Sequence, residues 1–157
     1  MITAILAATA LSTSPAASPC EIERYLSSHS SRQTVNNLYN RRDWPVVLDG
    51  ISSGNAQWIK IYSALRVAAD GEAGESLEDA VYSALPKNPF VVLDAIHSVT
   101  GKEIEDICAL SFESFDPKGG SNKYLRELKD SLTHAKGEKQ RHVADMCLKS
   151  LNTSKID

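Results

Sequence analysis

Two aspartates, Asp49 and Asp94, hold the same place in two near-identical hexamers, VVLDGI over residues 46–51 and VVLDAI over residues 91–96. Two carboxylates held about 5–10 Å apart can serve as acid and base in a hydrolysis. Helical phase opposes that use here. Trp44, Val47, Leu48 and Ile51 fall at i, i+3, i+4 and i+7, and Pro89, Val92, Leu93 and Ile96 do the same, so each hexamer writes an amphipathic helix. Asp49 and Asp94 lie off these stripes and are expected to face solvent, where a duplicated helix repeats a residue without consequence.

A second constellation is His142, Asp145 and Cys147. A Cys–His pair can supply an activated nucleophile. Residues five apart on one helix, however, point about 140° away from each other. The segment therefore reads as a surface histidine beside a buried cysteine. Metal ligation from one helix face would use an i, i+4 pair of the kind found in H-E-x-x-H. The segment DPKGGSNK, residues 116–123, places two glycines and two lysines ahead of a helix. It lacks the GxxxxGK[ST] spacing and the preceding strand of a phosphate loop, so it reads as a turn. No catalytic, cofactor or metal site is expected from these residues. Trp58 reads as core, while Val46 and Val91 lie opposite the main apolar stripes and are expected either to be covered from a second side or to meet a partner.

The elements that carry these residues read as helices throughout. Start signals recur at Ser18-Pro19, Asp43, Asn55, Ser76, Asn88-Pro89 and Ser121, and stop signals at Gly54, Gly71, Pro86, Gly101 and Gly137. Alternating strand patterns are missing. The expected fold is all-α: a compact bundle of short, HEAT-like helical hairpins, with a helical body over residues 18–109, a loop over 110–122 and a C-terminal hairpin and tail over 123–157. The VVLD hexamers are 45 residues apart, inside the period of about 40–47 residues of HEAT and armadillo arrays. A second echo, IYSAL over 61–65 and VYSAL over 81–85, is offset by 20. The order VVLD, YSAL, YSAL, VVLD is a mirror, whereas a solenoid keeps one period.

Residues 1–17 are apolar and then small, with no charge before Glu21, and read as a signal peptide that lacks the usual preceding basic residue. Export to the periplasm is the expectation. Three cysteines, Cys20, Cys108 and Cys147, are too few and too far apart for a CxxC zinc site. In an oxidising compartment Cys108–Cys147 is the favoured disulfide, worth ~3–4 kcal/mol by loop closure, with Cys20 able to compete for either partner.

The chain carries a formal net charge of −3, which does not favour nucleic acid. The average conceals a gradient: residues 66–116 hold three basic residues against eleven acidic ones, and residues 118–149 hold eight basic against four acidic. Asp70, Glu72, Glu75, Glu78 and Asp79 form the densest acidic run and could steer a cationic protein partner.

With these residues in view, the pattern from Trp44 through ISSG (51–54), Trp58, ALPKNP (84–89) and VVLDAI to Cys108 resembles a family of small exported bacterial proteins. The resemblance implies a helical, exported domain and no activity. The chain is also similar, at the level of class, to periplasmic immunity proteins that guard against toxins of neighbouring cells. The expected function is a non-enzymatic, exported protein-binding module of the immunity or inhibitor type, taking a cationic partner on Asp70, Glu72, Glu75, Glu78, Asp79 and on Val46 or Val91. The alternatives are a cell-envelope hydrolase using Asp49, Asp94 or His142, and an envelope structural or stress protein.

Overall fold

The computed structural model describes residues 17–112 and 115–153; the proposed signal segment falls outside them except for Ala17. Among the described residues there are nine helices and no strand. They are α1 (Pro19–Leu26), α2 (Ser31–Asn40), α3 (Trp44–Ser52), α4 (Ala56–Arg66), α5 (Gly71–Ala84), α6 (Pro89–Thr100), α7 (Ile104–Cys108), α8 (Ser121–Leu132) and α9 (Gly137–Thr153). The all-α bundle expected from the apolar spacing is what the chain forms. None of these helices is long and apolar enough to cross a membrane.

The centre is two stacked hairpins, α3/α4 and α5/α6. α3 packs chiefly on α5 and α4 on α6; α1 and α2 cover α4, while α7 joins α6 to α9. The mirrored echo has a spatial counterpart. Exchanging α3 with α6 and α4 with α5 leaves the set of packed pairs unchanged, because α3·α5 becomes α6·α4 and α3·α4 becomes α6·α5. Most equivalent residues share equivalent burial, though Leu48 is half-buried where Leu93 is fully buried. Val47 and Val92 are fully buried, Ile51 and Ile96 nearly so, and Val46 and Val91 are 37% and 38% exposed. One helix solution is thus used twice, at opposite ends of one stack.

The one letter that differs between the hexamers has a steric cause. Gly50 lies under the indole of Trp58, where a Cβ would come within 2.3 Å of two ring carbons. Ala95, its counterpart, has room for its methyl group and is buried. The segments ISSG and ALPKNP, far apart in sequence, meet at one junction. Asn88 Nδ2 donates to the Gly54 carbonyl at 2.9 Å, and Lys87 Nζ donates to the Ser52 carbonyl. Gly54 has φ +75° and its missing Cβ would stand 3.0 Å from that of Lys87, so glycine is required twice over. Ser131 of α8 donates to the Pro86 carbonyl and pins a third element to the junction.

One boundary differs from the sequence reading. α5 starts at Gly71, not at Ser76. Gly74 is buried against the Ala69 carbonyl, 3.3 Å from where a Cβ would be, while Gly71 opens the helix with φ +50° in open space, so of the two glycines that look like a break one is close-packed and the other serves the backbone turn. Ser76 is already helical, and its Oγ accepts from Trp44 Nε1 at 3.0 Å. Described residues of the loop over 110–122 pack onto the body. Phe112 and Phe115 pack edge-on to Tyr124, Phe115 also meets Tyr82, and Tyr124 Oη donates to the Tyr82 carbonyl at 2.7 Å.

Cys108 and Cys147 are both fully buried, with Sγ atoms 2.04 Å apart and Cα atoms 5.3 Å apart. The favoured disulfide pairing is the one formed. It ties the five-residue α7 to α9, and Ser150 Oγ adds a bond to the Glu105 carbonyl at 2.8 Å. Cys20 is free and exposed.

Candidate functional site

α5 turns Leu77, Ala80, Val81 and Ala84 inward. Its outer side therefore presents Glu72, Glu75 and Asp79 at i, i+3 and i+7, all exposed. Their two acidic neighbours are neutralised within the chain. Asp70, at the extended residue before the helix, lies 3.2 Å from Arg32 Nη1. Glu78 turns back to accept two bonds from Arg66, at 2.5 Å from Nη2 and 3.2 Å from Nε. Glu72, Glu75 and Asp79 make no ion pair with any described residue. The Glu72 carboxylate, as acceptor and as charge, with slight desolvation, holds the Tyr39 pKa above the ordinary phenol value. Asp79 is raised above the ordinary carboxyl value by partial desolvation first, then by the charges of Glu75 and Glu78. Asp79 and Asp106 flank a small cleft of 240 Å³ walled by Tyr82 and Phe115, with Lys102 at its edge.

The structure does not bring the two hexamer aspartates together. α3 and α6 do not pack as a pair. Asp94 and Val91 instead line a groove of 690 Å³ between α6 and α9, with Leu93, His142 and Met146. Asp94 Oδ1 is 3.9 Å from Lys139 Nζ and strongly exposed. Val46 and Asp49 lie on α3, away from the residues of this groove. Cys147 is bonded to Cys108 and holds no free thiol for His142 to activate. No cluster of three or more His, Cys, Asp or Glu among the described residues is arranged to hold a metal ion.

One surface went unread in the sequence. Asn36, Asn37 and Asn40 share a side of α2, facing Tyr25 and His29 of α1. The spacing NNxxN within a helix that buries Thr34, Val35 and Leu38 was its available signal.

No family model, curated protein or solved structure matches the chain.

Proposed function

We propose that this chain is an exported, non-enzymatic protein-binding module of the immunity or inhibitor type, and that the outer face of α5 receives a cationic partner. The observation that carries the reading is selective neutralisation. Two of the five clustered carboxylates are matched by arginines, while Glu72, Glu75 and Asp79 are left unmatched on one helix side. Like charges held together oppose folding, and a basic partner would relieve them. Export is supported by the buried disulfide, a bond that persists in oxidising compartments, and by the apolar residues that precede Ala17.

The test is affinity capture from a periplasmic extract at low and high salt, using the wild-type chain and a Glu72→Gln, Glu75→Gln, Asp79→Asn triple variant. A stoichiometric, basic protein held by the wild type and lost from the variant or at high salt is the expected result. Capture of no stoichiometric partner at low salt sinks the reading. Cell fractionation with N-terminal sequencing of the mature chain tests export separately.

A second reading, a cell-envelope hydrolase, draws on Asp94 and His142 lining the same groove. It requires a hydrolytic activity that Asp94→Asn and His142→Ala both abolish.

A further inference from the structure

We infer that the trough between α1 and α2 is a second binding site, and that its ligand class is a neutral, N-acetylated oligosaccharide. The trough measures 330 Å³ and is lined chiefly by Tyr25, His29, Asn36, Asn37, Asn40 and Arg41. Through Tyr25, Asn37 and Arg41 it runs on into a cleft of 440 Å³ floored by Ile22 and Leu38. The two concavities together make an elongated site with an apolar floor at one end and amides along the other.

Three features point to this ligand chemistry. The first is the amide row. Asparagine is a poor helix former because its side chain competes with the backbone, yet α2 carries three of them. None is used by the fold: Asn36, Asn37 and Asn40 make no side-chain hydrogen bond with any described residue. Gln33, on the same side, is by contrast spent on the capping box with Ser30. Each free amide offers two donors and an acceptor, the pairing that adjacent hydroxyls and an acetamido group require.

The second is a prepared aromatic surface. The rings of Tyr25 and His29 are stacked, with centroids 3.8 Å apart and planes 1° from parallel. His29 Nδ1 lies 3.1 Å from the Tyr25 carbonyl and 2.9 Å from Ser28 Oγ, which fixes the imidazole. A flat, oriented ring pair beside hydrogen-bonding amides suits a pyranose, whose C–H face is apolar and whose edge is polar. The third is charge. No carboxylate lines the trough itself, and the adjoining cleft adds Glu21, Asp43 and Arg24, so with Arg41, 3.9 Å from Asp43, the elongated site balances two carboxylates against two guanidiniums. With its charges balanced in this way, the site offers no net field to a cationic peptide or to a polyphosphate chain, which suits a neutral ligand. This site is separate from the acidic face of α5, and the two can fail independently.

The experiment is a titration of the ¹⁵N-labelled chain with chitotetraose to about 10 mM, a concentration that reveals even millimolar binding, with an octathymidylate titration in parallel. Saturable shifts confined to residues of α1 and α2 are expected. Tyr25→Ala could unfold α1, so the deciding variants are Asn36→Ala and Asn37→Ala, which replace exposed or half-exposed residues with a better helix former. Each is expected to weaken binding by about tenfold, the equivalent of one hydrogen bond, with no loss of thermal stability. No shifts at the highest sugar concentration, shifts elsewhere on the molecule, or shifts undiminished in both variants would each overturn the inference. So would saturation by the oligonucleotide without response to the sugar, which would mark a nucleic-acid site instead.

Discussion

Gly50 meets the face of Trp58 with no space for a β-carbon, and a methyl group there has to displace an indole. Overpacking of this kind costs about 1–3 kcal/mol, against which alanine returns up to ~1 kcal/mol of helix propensity. Gly50→Ala is therefore expected to lose about 1–2 kcal/mol net in urea unfolding. The reciprocal change, Ala95→Gly, should also cost about 1–2 kcal/mol, but through lost propensity and a lost buried methyl. Hexamers that differ by one letter thus resist exchange in both directions. If Gly50→Ala proves neutral, the Trp58 contact has been given too much weight. Asp79 makes a prediction of opposite sign. Its folded pKa lies above the ordinary 3.8 because ionisation is opposed by desolvation and by Glu75 and Glu78. The folded state holds that proton more tightly than the unfolded chain, so the penalty is absent below pH 3.8, grows as pH rises through the folded pKa, and is complete at pH 7. Asp79→Asn should raise Tm at pH 7 and leave it unchanged at pH 3. A gain of equal size at both pH values would show that charge is not the cause.

At the scale of elements, α7 has only five residues, less than two turns, and no side-chain N-cap. An isolated helix of that length does not persist in water. It is held by packing on α9, by Ser150 and by the Cys108–Cys147 bond, which closes a separation of 39 residues. Replacing both cysteines with alanine is expected to remove about 2–5 kcal/mol. Hydrogen exchange should show α7 opening first, with α3 to α6 retaining most of their protection; equal loss across all nine helices would contradict that division. Most elements were legible from the sequence because apolar residues at i, i+3, i+4 and i+7 mark a face wherever they occur, as in α3 and α6. The start of α5 was not. Gly71 and Gly74 carry the same letters as a helix stop, and only the structure shows that Gly71 supplies a positive φ at the helix start and that the nearby Ala69 carbonyl calls for glycine at Gly74. The anchoring of Phe112 and Phe115 was hidden for a similar reason, since an aromatic pair in a loop names no partner until the fold supplies Tyr82 and Tyr124.

At the scale of the molecule, the mirrored order of the central hairpins explains why the echo spacing fits no single repeat. A tandem array offers each new hairpin the same face and can be lengthened; here the like helices α3 and α6 end the stack, and α7 to α9 attach beyond α6. The acidic run was visible in the sequence, but which of its members are matched depends on Arg32 and Arg66, brought from other helices. The α1–α2 trough stayed hidden because its halves lie on separate elements and its residue types are ordinary on a surface. The free thiol of Cys20 sets a problem of timing. A chain that leaves a ribosome or a translocation pore N-terminus first presents Cys20, then Cys108, and only afterwards Cys147. The first two can cross-link before the proper partner has emerged, and such a bridge has to be exchanged within seconds to hours. Oxidative refolding of Cys20→Ser should reach the native bond in a single phase, where the wild type passes through a slower, isomerase-sensitive one. The exposed cysteine on α1 would then act as a kinetic competitor for the bond that closes the other end of the molecule.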